Sequence, residues 1–325
     1  MTTALVTGAA GQDGVLLCQL LLSHGVRVVG LVRSEGSAAA RLRAMAPGAE
    51  LVHGDITDRA GLDQLMARYD PDEVYNLAAM SSVAKSWALV DDVMATNTIG
   101  VVNLLEAVRA QAATSGRLAR LYQASSSEMF GLPTDVPQDE DTRFHPRSPY
   151  AVSKLAAHHL TVNYRESYGM FACSGILFNH ESPLREPHFV TRKITRGAAA
   201  ISVGAQSELL LGDLDIRRDW GDARDSVEAM RLMLGHREPG DYVVATGQSH
   251  SLRDFLTIAF GAAGIDNWEP YVRFDPTMLR PVEVGNLVGN SSKARAVLGW
   301  SPRWTFEQTV VEMVEADLAL LRAQV

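Results

Sequence analysis

Thr7-Gly8-Ala9-Ala10-Gly11-Gln12-Asp13-Gly14 is the stretch that decides the fold. An apolar run over residues 4–7 precedes it, and an apolar-periodic segment over 14–23 follows. Glycines at this spacing let the backbone turn tightly and approach a ligand closely. The helix that follows offers free N–H groups and a positive dipole end, which suit a pyrophosphate. A glycine triplet alone is a weak signal. In a strand–turn–helix setting, at the head of a βαβ unit, it predicts dinucleotide binding. The other reading is a turn that needs glycine only for packing.

Working outward, residues 26–32, 50–52, 73–77 and 118–124 are short apolar runs. Residues 58–69 and 91–112 carry helical patterns between them. Such alternation predicts a parallel sheet with right-handed crossovers. Ser148 suits a helix cap and Pro149 the first helical position. That helix is predicted to reach about Tyr168, with a strand over 171–177. Residues 34–40 read as a flexible loop. Beyond Asn179 the pattern loosens, and Pro183, Pro187, Pro239, Pro270, Pro276, Pro281 and Pro302 punctuate it. The expected fold class is α/β: a Rossmann-type doubly wound parallel sheet over residues 1–178 that carries cofactor and catalytic groups. A smaller C-terminal substrate-binding lobe over 179–325 is expected to send some segments back to the sheet.

At 325 residues and 46% hydrophobic the chain can bury a large core. A net charge of −8 argues against nucleic acid, which needs clustered Lys and Arg. A few local arginines can still hold a small anion. Cys18 and Cys173 lie in apolar segments, and neither C-x-x-C nor HExxH occurs, so neither a disulfide framework nor a metal site is expected. With no signal-peptide pattern and no long apolar run, the expectation is a cytoplasmic protein without a membrane partner.

Tyr150 and Lys154 stand four apart on a predicted helix, so both side chains face one way. A lysine cation is expected to stabilise the phenolate, letting the tyrosine take a proton from a sugar hydroxyl as hydride leaves the same carbon. Ser125-Ser126-Ser127 ends a strand whose carboxyl edge should deliver it to the same cleft. Glu128 follows directly. Hydride transfer needs no carboxylate, whereas elimination next to a ketone does; a turn cap or an arginine partner is the other reading of Glu128. At the end of the second strand, Arg33-Ser34 stands where an acidic residue would select NAD, which favours NADP and leaves NAD as the alternative. Arg33 as a solvated loop charge is the competing reading. Asp55 can accept from an adenine amino group or cap the helix starting near Asp58.

At these motifs the sequence resembles the extended short-chain dehydrogenases, and within them the GDP-mannose 4,6-dehydratase family. The resemblance rests on Gln12-Asp13-Gly14, Gln123-Ala124-Ser125-Ser126-Ser127-Glu128, Pro146-Arg147-Ser148-Pro149-Tyr150 with Lys154, Asn179-His180-Glu181-Ser182-Pro183, Phe189-Val190-Thr191-Arg192-Lys193, Arg218-Asp219-Trp220 and Arg280-Pro281-Val282-Glu283. It implies oxidation at C4 of the mannose, loss of water across C5 and C6, and return of the hydride to C6. In those steps Tyr150 is the base, Lys154 its partner, Ser126 the bond to the C4 oxygen, and Glu128 the acceptor of the C5 proton. It further implies cofactor contacts at Gly8, Gly11, Gln12, Asp13, Gly14, Arg33, Ser34, Asp55, Ile56, Leu77, Ala78, Ala79, Ser81, Tyr150, Lys154, His180 and Arg185. Substrate contacts follow at Ser126, Glu128, Asn179, Val190, Lys193, Arg218, Arg280 and Glu283. On the residues alone, Arg218 can instead pair with Asp219 or Asp225, and Lys193 can be solvated. Another sugar-nucleotide activity stays open as well: a 4,6-dehydratase on a different nucleotide sugar, a 4-keto reductase, a C4-epimerase or a UDP-glucuronate decarboxylase. So does a non-catalytic NADP-binding scaffold. Apolar residues on more than one face of helices 91–112 and 148–168 (Val93, Ile99, Val101, Val102, Leu104) point to a homodimer, with a tetramer as the larger alternative.

Overall fold

The run before the glycine turn forms β1 (Thr3–Thr7), an interior strand of the sheet buried along its whole length. The computed structural model describes residues 1–278 and 284–323. It continues through β2 (Arg27–Val32), β3 (Glu50–His53), β4 (Glu73–Asn76), β5 (Arg120–Ser126) and β6 (Ala172–Leu177). Short strands follow: β7 (Asn179–Glu181), β8 (Leu209–Leu211), β9 (Arg217–Arg218) and β10 (Trp220–Asp222). After them come β11 (Asp241–Val244), β12 (His250–Ser251) and β13 (Val272–Phe274). β11 returns to the sheet, whose order is β11-β6-β5-β4-β1-β2-β3, every neighbour parallel. The order reverses between β1 and β4, and ligands bind at the carboxyl edge of such a switch point.

The helices are α1 (Gln12–Ser23), α2 (Ser37–Met45), α3 (Arg59–Tyr69), α4 (Val83–Ser86), α5 (Val90–Met94), α6 (Gly100–Ser115), α7 (Pro149–Tyr168), α8 (Val190–Ser202), α9 (Ala223–Gly235), α10 (Leu252–Ala262), α11 (Ser292–Leu298) and α12 (Phe306–Arg322). Val15, Leu17 and Leu21 of α1 join Val227, Met230 and Met233 of α9 on one face of the sheet. Leu62 and Met66 of α3, Leu104 and Val108 of α6 and Ala157 of α7 cover the other. A separate core, with Ile194, Phe255, Phe260, Phe306 and Val310, builds the lobe from α8, α10 and α12. Arg192 of α8 and Asp317 of α12, both buried, pair across it at 2.8 Å. Among the described residues no helix is long and apolar enough to cross a membrane. Cys18 and Cys173 are buried and free.

Four local expectations change. Residues 34–40 are not all loop: α2 starts at Ser37, because three alanines favour helix and Ala39 and Leu42 find a core to bury in. The helix expected over 91–112 is broken by a π-helical turn at Ala95–Ile99. Asn97 lies in that turn, fully buried. It accepts from the Met80 N–H (2.8 Å) and donates to Ser153 Oγ (3.1 Å), bonds that hold the wider turn in place. Asp58, not Asp55, caps α3; Asp55 accepts from the N–H and hydroxyl of Thr57 instead. Finally, Val93, Val101 and Leu104 are spent inside the subunit and Val102 is half-buried, so of the five apolar residues only Ile99 is open, at 55%.

Candidate active site

Gly8 takes φ +64°, and a Cβ there would meet the Leu77 and Ala78 backbone at 2.8 Å. A Cβ on Gly14 would sit 2.4 Å from the Gly8 carbonyl oxygen. Only glycine fits either place, so the turn presents bare backbone at the start of α1. Thr7 Oγ1 donates to Asn76 Oδ1 (2.6 Å) and accepts from the Leu77 and Ala78 N–H groups. That ties the exit of β4 beside the turn. The result is a cradle of unencumbered backbone at a helix N-terminus, and it fits a dinucleotide pyrophosphate.

The chemistry-bearing groups stand at the next edge positions. β5 ends in Ser126, whose Oγ accepts from the Glu128 N–H at 3.2 Å and so starts a short 3₁₀ turn over Ser127–Met129. Ser148 caps α7 by accepting from the Ala151 N–H. The helix then brings Tyr150 and Lys154, both buried, against the end of β5. Lys154 Nζ donates to the Ala124 carbonyl at 2.8 Å and lies 5.9 Å from the Tyr150 ring centroid. Burial pulls the Lys154 pKa down to about 8. The expected lowering at Tyr150 is not what the protein shows on its own. Burial pushes the phenol up to about 12, a hydrogen bond with Ser126 opposes this, and the Glu128 carboxylate adds to it. The physical reason is that desolvating a phenolate costs more than the Ser126 hydrogen bond and the Arg185 charge return.

The facing wall comes from the lobe. β7 runs parallel to β10, placing Asn179 beside Trp220. Glu181 is buried, accepts from Thr191 Oγ1 (2.8 Å) and pairs with Arg185 (3.2 Å). The Arg185 guanidinium lies 3.7 Å over the Phe189 ring. Together these elements enclose a cleft of about 1010 Å³, at the upper end of ligand-site sizes and roomy enough for a dinucleotide beside a second ligand.

Gly8, Gly11, Gln12, Asp13, Gly14, Leu77, Ala78, Ala79 and Ser81 line this cleft, as do Ser126, Glu128, Tyr150, Lys154, Asn179, His180, Arg185, Val190 and Lys193. Arg33 and Ser34 lie outside its walls, exposed beyond β2. Asp55 is bound to Thr57, and Ile56 is buried in the core against the position of Gly100. Arg218 is buried in β9 away from the lining, and Nη1 donates to the Arg217 carbonyl. Asp219 and Asp225 accept from backbone N–H groups of Thr246, Gly247, Gly289, Arg303 and Trp304. Arg280 and Glu283 fall outside the described residues. Sequence reading missed Glu186, His188, Phe189, Thr191 and Trp220, which also line the cleft. It also missed Arg41, which donates to the Ala10 carbonyl (2.8 Å) from α2. Phe189-Val190-Thr191 at the start of α8 was the available signal.

Glycine turn, parallel switch-point sheet and the Ser-Tyr-Lys set at one edge define a dinucleotide-dependent enzyme of the short-chain dehydrogenase/reductase class. Within that class the chain belongs to the GDP-mannose 4,6 dehydratase family, whose model matches residues 5–313. It is 51% identical over 333 residues to GDP-mannose 4,6 dehydratase 2 of Arabidopsis thaliana, covering 99% of this chain and 88% of the relative. It is 42% identical to GDP-mannose 4,6-dehydratase of Yersinia enterocolitica, covering 99% and 97%. Among solved structures it resembles Thermus thermophilus UDP-glucose 4-epimerase in complex with NAD, with a TM-score of 0.82, 28% identity and coverage of 97% and 99%. RMD from Pseudomonas aeruginosa complexed with NADPH is also similar, with a TM-score of 0.80, 25% identity and coverage of 98% and 100%.

Proposed function

We propose that this chain is an NADP-dependent hydro-lyase that converts GDP-mannose to GDP-4-keto-6-deoxymannose. The observation that carries the proposal is Glu128, buried beside Ser126 in the cleft that also holds Tyr150 and Lys154. Oxidation alone would leave that carboxylate without work. When bound, NADP⁺ would supply the hydride acceptor for C4 and, once reduced, the hydride donor for C6. The Ser126 hydroxyl donates to the C4 oxygen, and Tyr150 takes the 4-hydroxyl proton as the ketone forms. Lys154, pinned by Ala124, holds positive charge that stabilises the Tyr150 phenolate until it takes that proton. The 4-ketone acidifies C5–H; Glu128 removes that proton and passes it to the departing 6-hydroxyl, which leaves as water, and a proton from solvent restores C5–H as hydride reaches C6. Lys193 and the free N–H groups at the start of α8 serve the substrate diphosphate.

The backbone cradle fits the NADP pyrophosphate, and Arg33 and Ser34 at the end of β2 are the residues offered to its 2′-phosphate. The active form is at least a homodimer. Trp87, Leu89, Val90, Ile99 and Val152 leave an exposed apolar face on the α4, α5 and α7 side.

The test is incubation with GDP-mannose and NADP⁺ without added reductant, followed by NMR of the product. A 4-keto-6-deoxy sugar is expected, and Glu128→Gln should stop after C4 oxidation so that reduced cofactor accumulates. Turnover of only a UDP-, CDP- or dTDP-sugar would overturn the substrate, and a stoichiometric demand for reductant would overturn the reaction class.

A further inference from the structure

Asp13 occupies the first turn of α1, on the wall where a pyrophosphate is to be held. A carboxylate there suits the helix dipole but repels a dianion at short range. His180 answers it from the other lobe. Its Nε2 lies 2.8 Å from Asp13 Oδ2 and its Nδ1 lies 2.7 Å from the Phe178 carbonyl oxygen. A carbonyl and an ionised carboxylate can only accept, so both ring nitrogens donate and the ring is an imidazolium. The adjoining residue repeats the connection. Gln12 Nε2 donates to Asp13 Oδ1 and to the His180 carbonyl, each at 3.1 Å, and Ser182 Oγ donates to Gln12 Oε1 at 2.9 Å. Two consecutive residues of the anion-binding turn are therefore bonded to β7 and the residue after it.

We propose that the His180 imidazolium is a positioning cation. It cancels Asp13 beneath the dinucleotide pyrophosphate and, through the same pair, fixes the substrate lobe to the phosphate turn. With both ring nitrogens committed, His180 acts through Asp13 rather than as a direct cofactor ligand. This rests on the cleft being a dinucleotide site.

The other charges around the pair do not supply the same cancellation. Arg185 faces both members from the segment after β7 but is paired with Glu181, which is itself next to His180. Lys154 and Tyr150 on α7 and Tyr122 on β5 feel Asp13 from the sheet side, and Lys154 is bonded to Ala124. Burial disfavours charge on both members, yet their mutual attraction overrides it. The His180 pKa ends raised and the Asp13 pKa lowered.

The experiment measures the NADP⁺ dissociation constant by calorimetry on full-length, cofactor-stripped protein at low salt. At pH 7, His180→Gln leaves Asp13 bare, and binding should weaken at least about tenfold for a close like-charge contact. Asp13→Asn/His180→Gln restores neutrality with hydrogen-bonding amides and should return within about threefold of wild type. Asp13→Asn alone should bind no worse than wild type. As pH rises, the ratio of the wild-type to the Asp13→Asn dissociation constant should climb as His180 loses its proton. Because Lys154 feels Asp13 and would titrate differently in the two proteins, both carry Lys154→Met for this comparison, which removes its titration from the ratio. Near-wild-type binding by His180→Gln, or a double variant as weak as His180→Gln, would overturn the proposal. Should His180→Gln fail to fold, the pH ratio decides, and a flat ratio overturns it. A wild-type protein that binds no dinucleotide would overturn the underlying reading and this inference with it.

Discussion

Lys154→Met should make the cofactor-free protein more stable at pH 7 while disabling it. The lysine is buried, its Nζ bonded to the Ala124 carbonyl at 2.8 Å, and burial lowers its pKa from 10.5 to about 8. The unfolded chain therefore holds this proton more tightly than the folded one. Between pH 8 and 10.5 the unfolded state carries more protons, so stability rises with pH across that window, and below pH 8 the full penalty applies. At about 1.36 kcal/mol per pH unit, the gap between 10.5 and 8 costs the fold about 3 kcal/mol at neutral pH. Methionine keeps the length and apolar stem and removes the charge. It gives up one hydrogen bond, about 1 kcal/mol. The net is a gain of about 2 kcal/mol at pH 7, fading as pH approaches the ordinary lysine value. Urea unfolding of the two proteins at pH 7 and again near pH 10 reads this directly, while turnover should fall by about a hundredfold or more. A variant less stable than wild type at pH 7, or a gain just as large near pH 10, would refute the reasoning.

Tyr150→Phe should abolish turnover yet leave the NADP⁺ dissociation constant within about threefold, since the phenol serves proton transfer rather than the pyrophosphate; equilibrium binding alongside a rate assay checks this. Gly14→Ala should lose most dinucleotide binding, because its Cβ would fall 2.4 Å from the backbone oxygen of Gly8 and the turn must open. An overpacking cost of about 1–3 kcal/mol should appear in the same protein's thermal unfolding. Ile99→Asp with Val152→Asp puts charge on residues 55% and 46% exposed in the single chain. Light scattering should show the mass falling to that of one chain, with the far-UV spectrum unchanged.

What the sequence revealed was what short spacing determines. Three glycines after an apolar run, Tyr150 four places before Lys154, and Ser148-Pro149 at a helix start each have a local meaning that packing did not override. Ser126 and Glu128 followed because a strand end delivers consecutive residues to one edge. What stayed hidden depends on distant partners. The π turn exists because Asn97 bonds Met80 and Ser153, 17 and 56 residues away. The Asp13–His180 pair spans 167 residues, and neither side announces the other. In α2 the turn-like Ser34-Glu35-Gly36 masked the helix formers behind it, and Arg41 was lost with them. The Tyr150 pKa was misjudged for a related reason: a helical spacing shows which groups are neighbours but not how dry their surroundings are.

Beside the apolar cluster of Phe130, Ile176, Phe178, Val243 and Leu287, the two lobes also meet through buried polar hubs. Asp219 is buried between β9 and β10, and its carboxylate accepts from the N–H groups of Thr246, Gly247 and Gly289 and from the Thr246 hydroxyl. Gln138 does the equivalent for the loop before α7. It donates to the Asp135 and Asn286 carbonyls and accepts from the Val288 N–H. Hydrogen bonds of this kind contribute only modestly to net stability but are costly to leave unmade, so they fix register more than they add strength. An apolar junction of equal area would tolerate sliding by a fraction of a side chain. A site that must move a hydride between C4 and C6 of one sugar, with Tyr150 on one wall and the substrate held from the other, cannot tolerate it. The buried Lys154 and Glu181 are expensive in the same sense, since burial penalises the charge on each, whereas the Asp13 charge is kept by its attraction to His180.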